Sequence, residues 1–254
     1  KASATLAKKA SVILAIEDTT SLIYTHSVRK ELGLTGRHKN AYPRGYMVHS
    51  TLLVDGENEM TLGLVAQERW CREESSYGKS HDRKKISYAE KESIKWEQNT
   101  INLEEQLQEK MSSVISICDR EADIYEYLHY KHSKGQRFII RAKHNRILKT
   151  NKSYLFDELE QAKSLGHYSI EIPQKAGRKK RQALIELKSM QVTLTPPRRQ
   201  VKGLVELGPI TLNVLLAQEV NSDAEEPLQW VLLTSEPVTN AVEARKVTRY
   251  YELR

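Results

Sequence analysis

Cysteine is nearly missing from this chain: Cys71 and Cys118 are the only two among 254 residues. They form no Cys-x-x-Cys pair and no disulfide framework, which argues against a disulfide-stapled secreted domain and fits a reducing cytoplasm. Cys118, inside an apolar run, is expected to pack as a small core residue. No apolar stretch approaches the length of a membrane span and no secretory signal is present, so no membrane partner is expected. No repeat of fixed period appears, which excludes a solenoid. His49 has no second histidine at ligand spacing and reads as structural. An excess of acid is also absent: 40 Lys and Arg against 33 Asp and Glu give a net charge of +7. The isoelectric point near 9.2 favours a polyanionic partner such as nucleic acid. Mean hydropathy is −0.59, a polar balance. The length still suffices for a real core, as one long domain or one domain with an insertion. The chain opens on Lys1, not Met, so a fragment of a longer protein is expected.

Two apolar segments stand out, and each runs into an aspartate. Val12-Ile13-Leu14-Ala15-Ile16-Glu17-Asp18 is the first. Val114-Ile115-Ser116-Ile117-Cys118-Asp119 is the second, and it opens the run Asp119-Arg120-Glu121-Ala122-Asp123. Nearly unbroken apolar strands mark a sheet centre covered on both faces. A carboxylate leaving such a strand sits at the sheet rim, where open α/β folds bind ligands. If the strands are neighbours, Asp18 and Asp119 can share a divalent metal, the arrangement that metal-dependent phosphoryl transfer requires. Aspartate suits Mg²⁺ as a hard, short, anionic ligand. A third acidic ligand is then expected from a helix beside the sheet.

Between and after these segments the pattern is mixed. Met47–Val54 and Met60–Val65, joined through Asp55-Gly56, predict a hairpin. The polar stretch holding Arg37, His38, Lys39 and Arg44 reads as a loop, and so do the charged residues 72–86. A long polar helix is expected from about Tyr88 to Met111, uninterrupted by Pro or Gly. A second helix is expected from about Glu121 to Tyr130, and a strand over Gln136–Arg141. From about 151 to 236, β patterning takes over after a short helix at 155–162. Strands are expected at 168–172, 183–187, 192–194, 211–216 and 230–233, with a basic turn at Gly177–Arg181. A last helix runs from Asn240 to Arg254. The organisation expected is a core over 1–150, a β-rich insertion over 151–236, and the start of a final helix over 237–254.

Four stretches, in the same order along almost the whole chain, resemble the DDE transposases, within them the insertion-sequence-four family. They are Glu17-Asp18-Thr19-Thr20-Ser21-Leu22, Cys118-Asp119-Arg120-Glu121-Ala122-Asp123, Leu232-Leu233-Thr234-Ser235-Glu236-Pro237-Val238 and Tyr251-Glu252-Leu253-Arg254. The resemblance implies an α/β, RNase-H-like mixed sheet flanked by helices, with a β-rich insertion before the last helix. It implies that Asp18 and Asp119 are catalytic carboxylates holding Mg²⁺ or Mn²⁺ for cut-and-paste DNA transposition. That chemistry comprises hydrolytic nicking, hairpin formation and opening, and strand transfer, and makes the protein a mobile-element endonuclease. Tyr251 and Arg254 match the first two members of the family's signature on the last helix. The third carboxylate is then expected one turn beyond Arg254, so the chain as given reads as a truncated, inactive catalytic core. Trp230 matches a tryptophan that stacks on a flipped base. Arg141 matches an arginine that contacts DNA phosphate. The segment Arg44–Ser50 resembles a DNA-contacting stretch, with Met47 where a second aromatic is usual. The partners implied are double-stranded DNA, as transposon ends and target, and a second copy of the full-length protein. The setting implied is the bacterial cytoplasm and nucleoid.

Plainer readings stand beside these. An aspartate ending a strand can be only a helix cap or turn residue. Glu121 and Asp123 read as exposed acids at a helix start, and Glu17 can point either way. Trp230 can be core, Tyr251 and Arg254 a solvated helix face, and Arg178–Arg181 a solvated hairpin tip or a phosphate contact. A metal-dependent nuclease on the same fold, or a non-catalytic DNA-binding remnant, would share most of these features.

Overall fold

The computed structural model describes residues 2–35, 43–72, 86–149, 153–174, 180–197, 207–222, 224 and 226–254. Arg37, His38 and Lys39, residues 73–85 of the charged stretch, and residues 177–179 of the basic turn lie outside them. The chain divides into two units, one built on Lys1–Val114 and the other on Ile115–Pro196 with Leu207–Arg254.

In the first unit a short helix, α1 (Ala2–Ala7), leads into β1 (Ile13–Ile23). β1 pairs antiparallel with β2 (Gly45–Asp55), which pairs antiparallel with β3 (Thr61–Trp70), giving the order β3-β2-β1. The expected hairpin is therefore present. Its turn is closed by Asp55, whose Oδ1 accepts the Glu57 N–H at 2.9 Å. β1 runs five residues past Asp18, because β2 keeps pairing with it down to Gly45. Asp18 thus lies within the strand rather than at its end. The expected long helix is broken. Two 3-10 turns at Tyr88–Glu90 and Glu92–Ile94 precede α2 (Lys95–Leu107), and another 3-10 stretch follows over Gln108–Ser113. The breaks fall at Lys91, which is extended, and at Gln108, whose φ is +47°. Ala4, Ala7, Ile13, Ala15, Leu53, Leu103 and Leu107 form this unit's apolar core. Small alanines let α1 lie close to the strands.

The second unit is a large mixed sheet with a few helices, an α/β arrangement. Its strands are β4 (Val114–Cys118), β5 (Arg137–Arg141), β6 (Ser164–Ile172), β7 (Arg181–Leu194), β8 (Ile210–Val220) and β9 (Gln229–Thr234), in the order β4-β5-β9-β8-β7-β6. β4 and β5 are parallel and the remaining pairs antiparallel. The crossover from β4 to β5 is α3 (Tyr125–Ser133), as a parallel pair requires. Every residue of β4 is buried, and Cys118 is fully enclosed. The two strands expected at 183–187 and 192–194 are one 14-residue strand, β7. α4 (Leu155–Gln161) precedes β6, and α5 (Ala241–Glu252) closes the chain. Asn240 starts α5: its Oδ1 accepts the N–H groups of Val242 and Glu243, both at 3.0 Å.

Candidate functional site

In the second unit, residues from four parts of the chain meet at the carboxyl ends of β4 and β5. Asp119 is the first residue past β4. Its Oδ1 accepts the Glu121 N–H at 2.8 Å and caps the 3-10 turn Arg120–Ala122. The capping role is real, and it occupies one oxygen. The other, Oδ2, faces Arg254 Nη2 at 3.6 Å. Arg141 ends β5, one residue past the Cys118↔Ile140 pair, so it shares the sheet edge with Asp119. Its Nη2 donates to the Gln229 carbonyl at 2.9 Å, and its charge acts on the Tyr251 hydroxyl. Trp230, on β9, meets Tyr251 edge to face at 5.4 Å between ring centroids. Tyr251 is buried, and Trp230 stays half-buried. Tyr251 is therefore buried at this edge rather than on a solvated face, while Arg254 is exposed and faces Asp119.

The electrostatics of this cluster are positive. Burial lowers the Arg141 pKa, and the guanidiniums of Arg120 and Arg254 lower it further, partly offset by Tyr251. An arginine still keeps its proton at neutral pH. Burial raises the Tyr251 hydroxyl pKa and the Asp119 charge adds to this, while Arg141 and Arg254 oppose it. Three neighbouring guanidiniums, one of them facing a carboxylate, with a protonated phenol beside them, offer the paired hydrogen bonds by which guanidinium groups bind phosphodiester oxygens.

Asp18 belongs to the first unit. Its side chain is exposed, while its neighbours Glu17 and Thr19 turn to the opposite face of β1. Glu17 is fully buried. Its Oε2 accepts from Asn99 Nδ2 at 2.8 Å and lies 3.5 Å from His49 Nε2. Asn99 Nδ2 also reaches Thr51 Oγ1 at 2.6 Å. His49 Nδ1 shares a 2.9 Å hydrogen bond with Thr19 Oγ1, and the ring packs edge to face on Trp96. His49 is thus an internal residue. In the segment expected to contact DNA, Met47, Val48 and His49 are buried, and Arg44, Tyr46 and Ser50 keep partial exposure.

One sequence expectation is reversed. Asp123 is not an exposed helix-start acid: it is 2% exposed. Its Oδ2 accepts the Lys143 and His144 N–H groups at 2.6 and 2.9 Å, and its Oδ1 lies 2.5 Å from Arg146 Nη2. It fixes the loop that follows Arg141. Glu121 is exposed, as expected. Sequence reasoning missed this loop anchor and the Glu17–His49–Asn99 network. Neither has a local signal, since the partners lie 20 or more residues apart. Arg181, at the end of the basic turn, is taken up by Glu219 at 2.6 Å.

Among the described residues, no three His, Cys, Asp or Glu side chains gather into a metal cage. Asp18 and Asp119 nevertheless offer the hard carboxylate oxygens that Mg²⁺ takes one or two at a time, completing its shell with water and substrate phosphate. By donor chemistry each taken singly suits a cation shared with a phosphate, not a closed protein site. A scan against protein-family models finds no match for the chain.

Proposed function

We propose that this protein is the catalytic core of a DDE-type DNA transposase of the insertion-sequence-four family, resembling its transposon-five member, with an RNase-H-like fold. Its reaction is metal-dependent phosphoryl transfer on double-stranded DNA: nicking, hairpin formation and strand transfer. The observation that carries the reading is the meeting of Asp119, Arg141, Trp230, Tyr251 and Arg254 at one sheet edge. Asp119, Tyr251 and Arg254 belong to the motifs of the resemblance, and Arg141 and Trp230 are matched singly beside them. Bound Mg²⁺ or Mn²⁺ would supply charge neutralisation at the attacked phosphate.

In this reading the chain's own residues divide the remaining work. Asp18 and Asp119 would be the carboxylates that hold the cation. Arg141 and Arg254 grip phosphate oxygens and orient the phosphodiester for in-line attack by water or a 3′-hydroxyl. Trp230 offers its exposed part to an unstacked base, and Tyr251 props both Trp230 and Arg141 from behind. The excess of guanidinium over carboxylate also supports the alternative of a DNA-binding module without catalysis.

One experiment separates the two. The assay uses the full-length protein with duplexes carrying the ends of its own element. Nicking and strand transfer in Mg²⁺ are expected. Asp119→Asn should lower nicking by about two orders of magnitude or more, the scale on which losing one preorganised charged group acts. Cleavage undiminished in Asp119→Asn would remove Asp119 from the mechanism. DNA binding with no cleavage in the unsubstituted chain would favour the module without catalysis.

A further inference from the structure

We infer that His49 is a positioning residue for Asp18, acting through the two residues that flank it. This rests on the reading of Asp18 as a cation-holding carboxylate. In β1, Ile13, Ala15, Glu17 and Thr19 share one face, by strand alternation. The first two are apolar and fully buried, as a core face should be. At Glu17 the same face turns polar while staying buried, and this happens at the step that carries Asp18 on the other side. The imidazole of His49 spans the change. Its Nδ1 holds Thr19 Oγ1 at 2.9 Å and its Nε2 faces Glu17 Oε2 at 3.5 Å. Residues on both sides of Asp18 therefore meet a single rigid ring, Thr19 through a hydrogen bond and Glu17 through a 3.5 Å contact.

The ring is itself held. Trp96 of α2 packs against it at 4.6 Å between centroids. Asn99, one turn along α2, fixes Glu17 at 2.8 Å and Thr51 at 2.6 Å. In the register, Thr19 faces His49 and Glu17 faces Thr51, so the network crosses from β1 to β2 and on to the helix. Burying a carboxylate is costly, and well-packed apolar side chains are often the more stable choice. What the polar network adds is definition: two hydrogen-bonded anchors restrict the backbone torsions between them, and these set the direction of the Asp18 carboxylate.

The test uses the chain as it is, with two variants. Thr19→Val removes one hydroxyl at nearly constant shape and is expected to fold. His49→Phe removes both ring nitrogens while keeping the contact with Trp96. Amide hydrogen exchange over Glu17–Thr19 should quicken about fivefold in Thr19→Val and more than tenfold in His49→Phe, with Ile13–Ala15 unchanged. His49→Asn, which restores a donor near the Nδ1 position, should recover part of the protection. Mn²⁺ binding, read by paramagnetic resonance, should weaken in step with the exchange. Unchanged exchange over Glu17–Thr19 would overturn the inference. So would exchange that rises equally along all of β1, since His49 would then be an ordinary core residue. If the unsubstituted chain binds no Mn²⁺, the reading of Asp18 as a cation ligand fails, and the exchange pattern still decides the role of His49.

Discussion

At the residue scale, the side chains that shape the site are those that satisfy buried charge. Asp123 shows the energetics most plainly. Its carboxylate is buried, accepts two backbone N–H groups from the loop after β5, and pairs with Arg146. Removing one member of a buried ion pair strands the other, at a cost of about 3–5 kcal/mol, whereas replacing both with apolar groups costs far less. Asp123→Ala should therefore destabilise the protein by about 3–5 kcal/mol in urea unfolding, and Asp123→Ala with Arg146→Met by clearly less. A double variant as unstable as the single one would mean that the two backbone hydrogen bonds, not the ion pair, carry the loop. The sequence could not have revealed this. In the run Asp119-Arg120-Glu121-Ala122-Asp123 all three acids look alike, and only the fold separates a cap, a solvated acid and a buried anchor.

At the element scale, α5 brings Tyr251 and Arg254 to the sheet edge, and its last turn is clamped between them. Glu252 accepts from Arg245 at 2.9 and 3.1 Å and from the Tyr168 hydroxyl of β6 at 3.2 Å. Arg245 lies over the Tyr168 ring at 4.2 Å. Burial, with the charge of Glu252 adding to it, pushes the Tyr168 pKa up to about 12. Unfolded tyrosine titrates near ~10. Below that value both states keep the proton and the clamp contributes in full. As pH rises from ~10 towards the folded value, the unfolded chain loses its proton first, so stability falls. Tyr168→Phe should flatten this alkaline loss relative to the unsubstituted chain, measured by urea midpoints across that range. Parallel pH curves for the two proteins would show that the phenol is not held as described. Elements with a local signature were legible: the hairpin from its alternation, and α5 from Asn240 at its start. β7 was not, because Lys188, Ser189 and Gln191 interrupt its apolar pattern. The pairing with β8 runs straight through them, and Lys188 and Ser189 find carbonyl partners in Glu160 and Val238. Tertiary pairing overrode local pattern there, as it did where β2 extended β1 past Asp18.

At the scale of the whole molecule, the net charge of +7 matters less than where unbalanced cations gather. Several arginines are neutralised in place: Arg72 by Glu92, Arg137 by Glu236, Arg181 by Glu219. Arg120, Arg141 and Arg254 instead lie near one another, and of the three Arg254 faces Asp119 at 3.6 Å, so guanidiniums gather at this edge. If these three contact phosphates, each releases condensed counterions, and log affinity should fall against log salt with a slope of about −0.9 per contact, or about −2.7 in all. Between 50 and 200 mM salt that amounts to roughly a fortyfold loss of affinity. Arg141→Gln should make the slope shallower by about 0.9 while weakening binding to all duplex sequences alike. Fluorescence anisotropy with labelled duplexes at four or five salt concentrations reads both quantities. A flat response in the unsubstituted chain would dismiss a polyanionic partner. An unchanged slope in Arg141→Gln would assign that guanidinium to bracing Gln229 and Tyr251, and leave phosphate contact to its neighbours.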